Sequence, residues 1–86
     1  MDASRLTIFR CALADAMTTI RDASPAFYNW QPGATPESVA ARLTESVEKR
    51  GSIRGINLTD RARRRIAHLL GVKNTLASFD AYLKGA

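Results

Sequence analysis

The chain has little of what enzymes and metalloproteins are usually built from. Cysteine occurs once, at Cys11, which excludes an internal disulfide and gives no sign of an oxidising compartment. Histidine also occurs once, at His68. The two lie on separate helical patterns, with no third group spaced to orient either. A nucleophilic triad needs nucleophile and base within hydrogen-bond reach, so the pattern does not point to catalysis and a non-enzymatic protein is expected. No Cys/His spacing matches a zinc site, and no glycine-rich turn leads from a strand into a helix to cradle phosphate. Neither metal nor cofactor is expected. Long apolar runs are missing as well, none approaching the roughly 20 residues that span a bilayer. The opening stretch MDASRLTIFR has an acid at position 2 and polar residues spread throughout, unlike a signal peptide. These absences lead to the expectation of a soluble, cytoplasmic protein without a membrane partner.

What is present is an ordinary apolar content, 45% of 86 residues, which argues for a folded chain rather than a disordered one. The length suits one domain, residues 1–86. A domain of this size buries only about 60% of its unfolded surface. With no disulfide available, tight helix packing or oligomerisation has to supply the margin of stability.

Hydrophobic spacing predicts an all-α fold, a compact bundle of about four helices. From Ser4 to Asp22 the residues Leu6, Phe9, Leu13, Ala16, Met17 and Ile20 recur on one stripe. Asp2 or Ser4 is the expected cap, and Pro25 ends the pattern. Ile8 and Cys11 fall on the far side. A second helix starts at Thr35-Pro36-Glu37, carries Val39, Ala40, Leu43 and Val47 inward, and stops near Gly51. The connector GSIRGINL offers Ile53, Ile56 and Leu58 to the core. Thr59 caps a third helix with Ala62, Ile66, Leu69 and Leu70 on its apolar face, closed by Gly71. Thr75 caps a fourth, in which Leu76, Phe79 and Leu83 share a face, ending at Lys84-Gly85.

The charge is distributed unevenly. Residues 1–48 set four arginines against six acids, a net −2, while residues 49–86 set nine Lys and Arg against Asp60 and Asp80, a net +7. Seven of those cations lie between Lys49 and Arg65, among them Arg54, Arg61, Arg63, Arg64 and Arg65. Four arginines in five positions at the start of a helix repel one another and oppose the helix dipole. A bound anion relieves that cost, and the guanidinium fork suits phosphate. The competing explanation is a solvated face whose partners are Asp60 and acids of the first half. His68 falls on the polar side of the same helix. A second cluster, Phe27, Tyr28 and Trp30, sits in the loop SPAFYNWQPGA. It reads either as a plug over the helices or as a stacking or protein-contact surface.

The segment RRRIAHLLGVKNTLASFDAYL, Arg63 to Leu83, resembles a helix-turn-helix, with Ala67, Gly71 and Leu76 at the close-packing positions. The stretch from Gly71 to Leu76 is one residue shorter than the usual spacing. The exposed face of the second helix would present Ala77, Ser78, Asp80 and Ala81, a set poor in the Arg, Lys, Asn and Gln that read bases.

Two functions follow as expectations. In the first, the protein binds nucleic acid, DNA above all, as a small transcriptional regulator that works as a homodimer. Arg54, Arg61, Arg63, Arg64, Arg65 and Lys73 contact phosphates there, and Asn74, Thr75 and Ser78 touch bases. In the second, it is a small interaction module or inhibitor, of the kind phages and plasmids use against host defences, docking on a larger nucleic-acid-handling complex. Phe27, Tyr28 and Trp30 anchor that contact.

Overall fold

The computed structural model describes residues 3–23, 32–56 and 58–85, with the side chains of 20–23 set aside. Four α-helices follow one another: α1 Ala3–Ala23, α2 Pro36–Arg50, α3 Asp60–Leu70 and α4 Leu76–Lys84. No strand occurs among the described residues. The fold is the all-α bundle that the spacing predicts. Phe27, Tyr28 and Trp30, together with Asp2 and Pro25, lie outside the described residues, and Ile20 outside the described side chains.

Local chemistry sets the helix ends. Thr35 and Ser38 form a reciprocal capping box: Thr35 Oγ1 accepts from the Ser38 N–H at 3.1 Å, and Ser38 Oγ accepts from the Thr35 N–H at 2.9 Å. Thr59 and Thr75 cap α3 and α4 by accepting from the Ala62 and Ser78 N–H groups. Gly71 closes α3 at φ +68°, a left-handed conformation that a side chain resists. The expected cap at Ser4 is not used. Helix α1 begins at Ala3, so Ser4 sits inside its first turn.

Helix α1 is central. It packs against α2, α3 and α4, whereas those three barely touch one another among the described residues. Its stripe Leu6, Phe9, Leu13, Ala16 and Met17 is buried, joined by Val39, Ala40 and Val47 from α2, Ile66 and Ala67 from α3, and Phe79 and Leu83 from α4. Each of the large side chains sealed from water contributes about 1.5–3 kcal/mol. Ile53 of the connector is buried with them, and Ile56 and Leu58 pack on the edge, as the pattern predicts.

Two expected core positions are exposed. Leu69 is 40% accessible, because the covered side of α3 is centred on Ala62, Ile66 and Ala67 and Leu69 falls at its edge. Leu76 is 38% accessible: it is the first residue of α4, and the face it shares with Phe79 and Leu83 is covered only from Phe79 onward.

The connector is also fastened through charge. Asp80 of α4 accepts from Ser52 Oγ at 3.1 Å and from the Ile53 N–H at 3.1 Å, and Arg54 Nε lies 3.5 Å from its second oxygen. Its side chain is 15% exposed. Asp80 was expected on the open face of α4, where it would repel phosphate. It instead turns toward the connector, because the Ser52 hydroxyl and the Ile53 backbone N–H supply donors there. At the other edge, Arg5 Nη1 donates to the Tyr82 carbonyl at 3.3 Å and its guanidinium lies 5.0 Å from the Tyr82 ring centroid, tying α1 to α4.

Candidate nucleic-acid interface

Helix α3 carries its charge opposite its core stripe. With Ala62, Ile66 and Ala67 turned inward, residues 61, 64, 65 and 68 fall at i, i+3, i+4 and i+7 on the outward face. Arg61, Arg64, Arg65 and His68 are all exposed. The stripe rises about 10 Å along the helix. Together with Ala16 and Thr19 of α1, these four side chains line a groove of ≈ 380 Å³ between the two helices. Its lining is largely apolar despite the guanidinium groups, since the arginines contribute their aliphatic stems.

Acids hold three of the four arginines. Arg64 Nη2 donates to Asp60 Oδ2 at 2.7 Å, Arg63 Nη2 to Asp60 Oδ1 at 3.2 Å, and Arg65 Nε to Asp15 Oδ1 at 2.8 Å. Arg61 has no ion-pair partner among the described residues. Asp60 also accepts from Asn74 Nδ2 at 3.3 Å, which links the start of α3 to the turn before α4. The hydrogen bonds from Arg64 and Asn74, then the nearby arginine charges, hold the Asp60 carboxyl below the usual aspartate range. Arg65 is shifted upward by its hydrogen bond to Asp15 and by that carboxylate's charge, so it stays a cation throughout.

The remaining predicted residues are dispersed. Arg54 leans toward Asp80 with its side chain 69% exposed. Lys73 and Ser78 border a separate hollow beside Arg5, Leu70, Val72 and Tyr82. Thr75 and Ser78 were expected to touch bases, but their hydroxyls are engaged in the α4 cap: Thr75 Oγ1 accepts from the Ser78 N–H at 3.1 Å and donates to Ser78 Oγ at 2.7 Å. Asn74 is half-buried against Asp60. Of the three positions that carry the helix-turn-helix resemblance, Ala67 is buried and Gly71 left-handed, while Leu76 is exposed. The structure brings together Arg61, Arg64 and Arg65 and adds His68, Ala16 and Thr19. The i+7 spacing from Arg61 is a sequence signal for His68; no local signal marks the two α1 residues.

Among the described residues, no helix is long and apolar enough to cross a membrane, and no group of three or more His, Cys, Asp or Glu side chains is placed to hold a metal ion. Comparison of the chain with protein-family models, with curated proteins and with solved structures finds no match.

Proposed function

We propose that the protein binds nucleic acid through the outward face of α3, as a small DNA-binding regulator. The observation that carries this reading is the stripe Arg61, Arg64, Arg65: three exposed guanidinium groups on one helical face, the first without an acidic partner among the described residues. The carboxylates on the other two do not block it. Arg64 and Asp60 are both well exposed, and such surface pairs contribute about 0–1 kcal/mol, so phosphate oxygens exchange for them at little cost. Arg63, more sheltered, holds the start of α3 through Asp60. Arg54 and Lys73 lie away from this stripe and add only to the net positive charge. In this reading α3 is the helix presented to the polyanion, since α4 exposes Ala77 and Ala81 and commits Thr75 and Ser78 to its cap. A homodimer belongs to the proposal, because one small module offers limited affinity and site length.

The test is fluorescence anisotropy of labelled DNA at several salt concentrations. The wild-type protein binds with affinity that falls steeply between about 50 and 200 mM salt. The double variant Arg64→Ala, Arg65→Ala binds more weakly and with a log–log salt slope smaller by roughly 1.4–1.8 units, two phosphate contacts at about 0.7–0.9 each. A slope unchanged in the folded double variant removes these arginines from the interface.

A further inference from the structure

We infer that the groove between α1 and α3 is a nucleobase site, so that the protein selects single-stranded nucleic acid over duplex. The inference rests on the proposed phosphate-binding role of α3 and specifies its ligand.

Phosphate alone needs no groove; an arginine stripe on a convex helix serves it. Here the stripe borders a recess of ≈ 380 Å³, within the roughly 300–1,000 Å³ range of sites that hold small organic groups. The floor is carbon. The arginine stems and the Thr19 methyl supply it, because the Thr19 hydroxyl donates to the Asp15 carbonyl at 3.1 Å, and Ala16 lies sealed beneath them. One wall is oriented in advance. Arg65 is held through Nε by Asp15 at 2.8 Å, with its side chain still 43% exposed. A guanidinium fixed at its edge keeps its flat face available, and bases stack on such planes. Arg61 lies on the same groove, is exposed, and has no acidic partner among the described residues, which places it to meet the phosphate that flanks a bound base. An apolar floor, an oriented cationic plane and an exposed second cation together suit a flat ring joined to an anion. A nucleotide in a single strand offers that combination. A duplex keeps its bases stacked inside and offers the phosphates alone.

The experiment compares three labelled probes of about 12 units, a length within the usual footprint of single-strand binders: a random single strand, its duplex, and an abasic strand that keeps sugar and phosphate but has no bases. The expected result is that the single strand binds about five- to a hundredfold tighter than the abasic strand, the range that one stacked base supplies, and also tighter than the duplex. Thr19→Leu, which fills the floor without changing charge at an exposed helical position, removes that preference and leaves duplex binding and the salt slope unchanged. Thr19→Val, which keeps the shape, behaves as wild type. Equal binding of the three probes overturns the base site while leaving the phosphate face of α3 in place. So does a Thr19→Leu variant that binds the single strand as wild type does. Failure of all three probes to bind at low salt overturns the nucleic-acid reading itself.

Discussion

Replacing Asp80 by alanine separates two roles for α4. On a recognition helix, an acid facing DNA is a liability, and its removal raises affinity at no cost in stability. In the structure, Asp80 is instead the acceptor that fastens the connector, with Ser52 Oγ and the Ile53 N–H both at 3.1 Å. Alanine removes both bonds. Ser52 is half-exposed and turns to water, so its share is small. The Ile53 N–H stands beside a buried side chain, and a backbone donor left without a partner costs about 1–3 kcal/mol. With the charge-assisted character of the lost bonds, the expected destabilisation is about 2–3 kcal/mol. For a domain of this size each kcal/mol lowers the melting temperature by about 4–8 °C, so Asp80→Ala melts roughly 8–24 °C below wild type. Asp80→Asn keeps an oxygen for the Ile53 N–H and loses about half as much. Arg54→Ala stays within about 0.5 kcal/mol, because its pair is long and mostly in water. The assay is thermal unfolding followed by circular dichroism, with DNA binding measured on the same samples. An Asp80→Ala protein that melts within about 2 °C of wild type refutes the anchor, given that scale of 4–8 °C per kcal/mol.

The structure makes two further predictions. Asp60 is depressed in the folded state, so the stability it contributes is complete above its ordinary unfolded value, about pH 4, and is lost as the pH falls through its lower folded value. Melting temperature measured from about pH 5 downward shows this loss, and Asp60→Asn flattens it; an identical acid limb in the variant would show that other carboxylates set it. Thr75→Ala removes the α4 cap and destabilises by about 0.5–2 kcal/mol in urea unfolding, whereas Thr75→Ser keeps the accepting oxygen and unfolds near the wild-type midpoint; equal midpoints for Ala and Ser would mean that the cap contributes nothing.

What the sequence makes legible is local. Thr35, Thr59 and Thr75 start helices, and Gly51, Gly71 and Gly85 end them, as spacing alone predicts, because a cap bonds to a backbone group within a few residues. The inward stripe of α1 and the outward arginines of α3 are legible for the same reason, since both follow from helical period. What sequence spacing does not show depends on partners far along the chain. Asp15 meets Arg65 across 50 positions, Asp80 meets Ser52 across 28, and Asn74 meets Asp60 across 14. The exposure of Leu69 and Leu76 likewise depends on how much of each helix the rest of the chain covers. The groove joins a floor on α1 to a wall on α3, so its existence is a tertiary fact, while the charge along its rim is a sequence fact.

The central position of α1 bears on the order in which the chain folds. Since α2, α3 and α4 find their main partner in α1 and scarcely in one another, no pair that excludes α1 makes a stable early intermediate. The cost of bringing two segments together rises with the length of chain between them. The α1–α2 contact closes the shortest loop, and the Arg5–Tyr82 contact, 77 residues apart, closes the longest. The expected order of folding therefore runs outward from an α1–α2 pair to the docking of α4; folding slowed in α1–α2 core variants but not in α4 variants would check it. The same hierarchy makes α4, with nine residues and one principal neighbour, the first element to open in the native protein. Amide hydrogens there exchange ahead of those in α1, and the connector fastened by Asp80 loosens with them.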